Sequence, residues 1–196
     1  MLHKSKAFYT PVYSTTVPMV SEFKENLKTE LSDFAQNDIP TADGDDRIMH
    51  DGKKGYYSNA MTFDNSTLPM LNTFVLAMQD LVKERLDPQL YVADYGFNIH
   101  TVGTYQTIIN NREVEWNGNF ILTCPNNIPQ HNGEYRLVNP NTWTIPLYHS
   151  LPVRENMLFL WPGPVLYEMQ PIRPDIEEQV DRISIQLYIE RERNER

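Results

Sequence analysis

As far as Asp87 the apolar residues of this chain recur at helical intervals; beyond it they fall into short runs and strict alternations. Behind Ser21, whose hydroxyl suits an N-cap, Phe23, Leu27, Leu31 and Phe34 stand three or four residues apart and leave Lys24, Lys28 and Glu30 outward. A second stripe, Leu71, Phe74, Val75, Met78, Leu81 and Val82, follows Ser66 and Thr67, either of which can cap it. Pro69 is tolerated in its first turn, and Asp87-Pro88 ends it. Two amphipathic helices are predicted. Ahead of them, Phe8-Tyr9-Thr10-Pro11-Val12-Tyr13 favours extended backbone interrupted by a proline, which predicts an edge strand or an extended arm. Between them, Gln36 to Ser58 is polar and predicts a long loop, available as a contact arm.

The rest reads as strands: Leu90 to Tyr95, Asn98 to Ile109, Asn119 to Cys124, Glu134 to Val138, Trp143 to Tyr148, Met157 to Trp161, Val165 to Met169 and Val180 to Ile189. Turns such as Pro125-Asn126-Asn127 and Gln130-His131-Asn132-Gly133 separate them. Met157 to Trp161 is an apolar run closed by Pro162-Gly163-Pro164. In the last strand Ile183, Ile185, Leu187 and Ile189 alternate with Arg182, Ser184, Gln186 and Tyr188, the pattern of a half-buried strand. Eight strands at this spacing close naturally as a jelly roll, with the two helices packed on one outer face. The predicted class is α+β: a single domain over 1–190 and a charged tail, RERNER, over 191–196.

Composition narrows the partners. Fourteen prolines, eight glycines and eleven tyrosines suit short strands and stiff turns better than a helical bundle. Seventeen basic against twenty-six acidic residues leave a formal charge of −9, which disfavours nucleic acid and anionic membrane surfaces and points to other protein subunits, in an oligomer or a larger assembly. No run approaches the roughly 18 apolar residues of a membrane helix, and the N-terminus has no apolar signal core. The single cysteine, Cys124, cannot form an intrachain disulfide, which fits synthesis in a reducing cytoplasm; it reads as a small buried residue.

Few residues group into chemistry. Asp43-Gly44-Asp45-Asp46 lacks the spaced ligands and closing glutamate of a calcium loop. Glu113 and Glu115 alternate and would share one strand face, as candidate acid and base or as a solvated face. His131-Asn132-Gly133-Glu134 spans a turn and lacks helical metal-ligand spacing, whereas His100 and His149 read as hydrogen-bonded structural groups.

The stretch from Arg154 to Glu190 resembles the end of a family of phage and bacterial 2-oxoglutarate/Fe(II)-dependent oxygenases. Their double-stranded β-helix closes with a Phe-Pro turn, then a strand carrying the last iron-binding histidine before a Val-x-Pro-like step. An Arg-x-Ser strand follows, whose arginine holds the co-substrate carboxylate. Here Trp161-Pro162, Glu168-Met169-Gln170-Pro171 and Arg182-Ile183-Ser184 stand in those places, and Tyr167 takes the histidine's. The Phe8 phrase resembles the family's Phe-x-Thr-Pro-Val-like opening, and Asn117 to Pro125 matches its Ser-Gly-Val-Tyr-Tyr-Leu-like strand.

The resemblance implies a first histidine and a carboxylate as His-x-Asp or His-x-Glu, because residues i and i+2 of a strand point the same way. Two residues after His3, His50, His100, His131 and His149 stand Ser5, Gly52, Val102, Gly133 and Leu151, and Ile109 to Trp116 holds no histidine. The expectation is therefore a non-catalytic relative with no catalytic residue, no metal ligand and no cofactor. Arg182 and Ser184 would be vestigial cofactor-binding residues. Arg182 needs a carboxylate partner if buried, either 2-oxoglutarate or Glu168, Asp175 or the Glu177-Glu178 pair, and is a surface charge if it points outward; with the metal ligands missing, an internal or solvent role is expected over ligand binding. Phage members of the family suggest a virion component of head, neck or tail. The alternative is a dioxygenase whose divergent iron site draws on His100, His131 or His149 with Glu113 or Glu115. A third reading is a ligand-binding jelly roll with Trp116, Trp143 and Trp161 along a groove.

Overall fold

The computed structural model describes residues 2–7, 10–37, 49–50, 53–58, 67–104, 106–109, 113–125, 133–139, 146–172 and 181–192. Thirteen strands and two helices are seen there. In chain order they are β1 (His3–Ala7), β2 (Thr10–Thr16), α1 (Ser21–Asn37), β3 (Met49–His50), β4 (Lys53–Lys54), β5 (Tyr56–Tyr57), α2 (Pro69–Arg85), β6 (Leu90–His100), β7 (Gln106–Ile109), β8 (Trp116–Thr123), β9 (Tyr135–Val138), β10 (Tyr148–Leu151), β11 (Met157–Pro162), β12 (Tyr167–Met169) and β13 (Arg182–Arg191). A major sheet runs β1-β2-β11-β8-β13-β6-β5, a minor sheet β10-β9-β12-β7, and β3 and β4 form a separate hairpin.

Two apolar layers hold the architecture. Leu27 and Leu31 of α1 and Leu71, Phe74, Val75, Met78 and Val82 of α2 are buried against Phe97, Phe120, Leu158, Leu160, Ile183, Ile185 and Leu187 of the major sheet. Each such side chain contributes about 1.5–3 kcal/mol through burial. Phe74 packs on Phe120 with ring centroids 4.6 Å apart. On the other face of that sheet, Val12, Ile121, Phe159 and Trp161 meet Tyr135, Leu137, Tyr167 and Met169 of the minor sheet. The result is the predicted double-stranded β-helix with two helices on one outer face.

Several expectations shift in detail. The N-terminal segment is a hairpin within the sheet, where lysine-bearing β1 takes the edge and β2 lies between β1 and β11. The strand predicted to break near Gly96 runs unbroken from Leu90 to His100, because Gly96 keeps its place opposite Gln186 in the β13 ladder. The break comes at Thr101–Thr104, where Gly103 takes a φ of 89°. Within the predicted Gln36–Ser58 loop, α1 extends to Asn37, β5 joins the major sheet, and Ser58 accepts a hydrogen bond from the Phe97 amide. The Asp43–Asp46 cluster lies outside the described residues. β10 begins where the predicted Trp143–Tyr148 strand ends, and residues 140–145 are outside the description. β13 extends to Arg191, whose guanidinium bonds Glu115 and Asp87, so the strand end is tied to the end of α2.

The caps also differ. The residue before α2 is Leu68, with no side-chain cap of its own. Glu30, read as outward on α1, accepts the Met70 amide at 3.0 Å and the Leu71 amide at 2.8 Å. A carboxylate there satisfies two orphan donors and meets the positive end of the α2 dipole. Lys24, also read as outward, bonds Glu155. Glu30→Ala is expected to lower the unfolding free energy by about 1–2 kcal/mol in urea titration, as loss of an N-cap does.

Candidate functional site

Between the sheets, every inward position at the start of β13 is polar. Because Ile183, Ile185 and Leu187 face the helices, Arg182, Ser184 and Gln186 face the minor sheet, and both sets are buried. The strand reads as half-buried in sequence; a second sheet covers its polar side. Register then dictates the neighbours: His100 of β6 stands opposite Arg182, Asn98 opposite Ser184, and Asn119 of β8 opposite Gln186. All are buried.

The minor sheet closes on this stripe with tyrosines. The Tyr135 hydroxyl donates to Ser184 Oγ at 3.2 Å, and Gln186 Nε2 donates to the Tyr167 hydroxyl at 3.4 Å. Gln186 Oε1 in turn accepts from Tyr188 at 2.8 Å and from Tyr57 at 3.2 Å. Trp161 stacks edge-on against Tyr167, with centroids 5.0 Å apart. Burial raises the Tyr135 pKa, against the pull of the Arg182 charge and hydrogen bonds from its neighbours.

Arg182 is wholly buried. Its Nη1 donates to the Gly133 carbonyl and its Nη2 to the Gln170 carbonyl at 3.4 Å, and the guanidinium lies 5.9 Å from the Tyr135 ring centroid. Burial lowers its pKa, yet an arginine keeps its proton in a protein. Among the described residues no carboxylate pairs with it. Glu168, a predicted partner, instead lies 3.7 Å from Arg136 and accepts from Gln170 Nε2 at 2.7 Å; Asp175, Glu177 and Glu178 lie outside the described residues.

Polar atoms without partners gather beside this charge. Among the described residues neither ring nitrogen of His100 has a hydrogen-bond partner, nor has either amide atom of Asn98, Trp161 Nε1 or Arg182 Nε. The expectation that His100 is a hydrogen-bonded structural group is thus corrected. Each buried group left this way costs about 1–3 kcal/mol, so the cluster is not packed for stability. Burial, aided by the Arg182 charge, holds the His100 pKa well below 6.5, so the ring is neutral and can donate from one nitrogen and accept at the other.

The described residues do not form a ferrous triad. Tyr167, which the motif resemblance sets in the histidine's place, is paired with Ile109 of β7 on one side and Leu137 of β9 on the other. Its buried hydroxyl accepts from Gln186 Nε2. Among the described residues no three His, Cys, Asp or Glu side chains group to hold a metal. Glu113 and Glu115 lie in the turn before β8, not on a common strand face; Glu113 is exposed, and Glu115 bonds Arg191. His149 sits half-buried on edge strand β10, its pKa lowered by burial. His131 and Trp143 lie outside the described residues. Trp116 packs toward the helices, against Tyr13, and Trp161 is core, so these two do not line a groove. Burial pushes the Cys124 thiol up to about 11, as befits an inert core cysteine. Sequence reasoning missed Asn98, Asn119, Tyr135 and Gln186; the signal for Gln186 was its i+2 spacing from Ser184, and for Asn98 and Asn119 their being polar on the strands that flank the Arg-x-Ser strand.

This is a double-stranded β-helix with a buried arginine and a cluster of buried polar side chains between its sheets. No family model and no curated protein matches the sequence. Solved structures do match in fold. A Pseudomonas putida prolyl-4-hydroxylase aligns over 93% of both chains at a TM-score of 0.63 and 13% identity. HygX from Streptomyces hygroscopicus, with nickel and 2-oxoglutarate bound, covers 93% of this chain and 83% of its own at 0.62 and 11%. The α-ketoglutarate-dependent carbocyclase SnoK of nogalamycin biosynthesis covers 92% and 79% at 0.65 and 10%. The chain therefore has the fold of the 2-oxoglutarate/Fe(II) oxygenases. Among the described residues no helix is long and apolar enough to cross a membrane.

Two measurements probe the cluster. Gly133 has a φ of +67°, and an added Cβ would lie 3.2 Å from Arg182 Nη1; Gly103 has a φ of +89° with open space around it. Both alanine variants carry backbone strain, on the order of 1–3 kcal/mol. Urea titration should show the larger loss in Gly133→Ala, where crowding of the guanidinium adds to strain. For His100, the folded pKa lies below the unfolded 6.5, so the unfolded chain binds the extra proton. Stability should fall as pH drops below 6.5, by up to about 1.4 kcal/mol per unit. His100→Gln should remove that part of the slope between pH 6.5 and the folded pKa.

Proposed function

We propose that this chain binds a carboxylate ligand at Arg182 within an oxygenase-type β-helix, without ferrous chemistry, and works as a binding or interaction subunit. The observation that carries this reading is the wholly buried Arg182, which has no carboxylate beside it and no partner for its Nε among the described residues. A buried guanidinium without a counter-ion is costly, and a bound carboxylate would offset that cost through a charge-assisted bond. Ser184 belongs to the same cluster but already accepts from Tyr135. A place in a phage particle is the assembly that fits the motif resemblance.

A second reading is a 2-oxoglutarate/Fe(II) dioxygenase with a divergent iron site. The likeness to a prolyl-4-hydroxylase and to HygX over more than nine-tenths of this chain favours it. It would draw ligands from His100, His131 or His149, with Glu113 or Glu115, although Glu115 is already bonded to Arg191. Anaerobic loading with Fe(II), with and without 2-oxoglutarate, separates the two. The first reading predicts no stoichiometric iron after desalting. One iron per chain, held more tightly with 2-oxoglutarate, supports the dioxygenase.

A further inference from the structure

We infer that β5 is a strap: it opens as a unit while the rest of the fold stays closed, and its opening gives water a way to the polar stripe between the sheets. This does not depend on what Arg182 binds.

β5 is two residues long and outermost in the major sheet. Successive residues of a strand point to opposite faces, so its two tyrosines diverge. Tyr56 turns to the helices and lies against Phe97, with ring centroids 5.2 Å apart. Tyr57 turns to the other face and donates its hydroxyl to Gln186 Oε1 at 3.2 Å, and that hydroxyl lies 3.2 Å from the Tyr188 hydroxyl. Ser58 follows. Its amide donates to the Phe97 carbonyl at 2.9 Å, and its Oγ accepts from the Phe97 amide at 2.8 Å.

The reach of Tyr57 makes it a fastening. Gln186 belongs to β13, and β6 lies between β13 and β5, so the contact spans two strand spacings, roughly 10 Å. Tyr57 stands opposite Asn98 of β6, and the β6 residue opposite Gln186 is Gly96. A side chain at position 96 would point to the same face as Asn98 and stand in the path; glycine leaves the path clear.

Opening is favoured on two counts. β5 pairs with β6 over two residues, whereas Gln186 sits in a strand laddered along both edges, by β6 and by β8. A short edge segment of this kind belongs to the low-stability end of a fold. Asn98, the residue opposite Tyr57, is buried with neither amide atom partnered among the described residues. Water admitted beside it supplies those bonds, so opening relieves a cost that the closed state carries.

Native-state hydrogen exchange, followed by NMR on the full chain over a series of low urea concentrations, tests this. The Ser58 and Phe97 amides report the strap, and amides in the middle of the β8–β13 ladder report the whole fold. In the wild type the strap amides are expected to exchange roughly 100-fold faster than the ladder amides, with little dependence on urea. Tyr57→Phe, which removes only the hydroxyl, should speed them about ten-fold, and the Asn98 Nδ2 protons should exchange with them and accelerate with them. Glu30→Ala, which removes the carboxylate that caps α2, should speed the ladder amides and leave the strap amides unmoved. Strap amides that exchange at the ladder's rate, share its urea dependence and accelerate with it in Glu30→Ala overturn the inference, because β5 then opens only when the fold does. Strap amides indifferent to Tyr57→Phe overturn it by removing the fastening, and Asn98 protons that follow the ladder overturn it by removing the route for water. Should Tyr57→Phe fail to fold, the wild type and Glu30→Ala still decide.

Discussion

A positive charge that cannot be discarded sits at the centre of this fold. Arg182 is fully enclosed, and its proton stays on at any accessible pH. The surrounding chain is arranged around that fact. Gly133 adopts a left-handed turn that brings a carbonyl onto Nη1 and leaves no Cβ to collide with it. The Gln170 carbonyl takes the other terminal nitrogen, and the Tyr135 ring lies over the guanidinium. None of these neutralises the charge. They solvate it with dipoles, and Nε remains a donor in search of an acceptor.

Such a cluster is affordable because stability is secured elsewhere. The helix-side core is apolar from Leu27 and Leu71 to Ile185 and Leu187, apart from the buried Asn72, which accepts from the Tyr95 hydroxyl. Glu30 fastens one helix to the start of the other, and Arg191 fastens the last strand to the end of α2. The space between the sheets can then combine apolar side chains such as Ile121, Phe159 and Met169 with a buried polar stripe that stability alone would not select. Where the resemblance places an iron ligand, Tyr167, Gln186, Tyr188 and Tyr57 form a hydrogen-bonded chain. The fold is that of the oxygenases, and side chains are joined to one another where the resemblance would set the metal.

The parts of this account that were legible in sequence are those written in local periodicity. Helical stripes at Phe23 to Phe34 and Leu71 to Val82 pack as their spacing predicts, and the lack of a His-x-Asp step is visible by inspection. What was not legible depends on contacts across the sheets. Arg182, Ser184 and Gln186 alternate with isoleucines and leucine as a solvent-facing edge would, and only the covering sheet turns them into an interior wall. Glu30 lies forty residues before the amide it caps, so no local motif announces it. Gly96 and Gly103 look alike as breakers; the ladder to Gln186 holds one extended, and a positive φ turns the chain at the other. That Ile109 faces Tyr167 follows from register alone.

Arg182 Nε is proposed as a carboxylate donor that works without metal. Its most direct test is the ¹H–¹⁵N spectrum of the arginine Nε–H groups, with Arg182 assigned by loss of its signal in Arg182→Lys. Short-chain carboxylates are titrated in the presence of EDTA. The account predicts a saturable shift of the Arg182 resonance with the other arginines unmoved. A resonance indifferent to carboxylates in EDTA, and shifting only once Fe(II) is supplied, would contradict it.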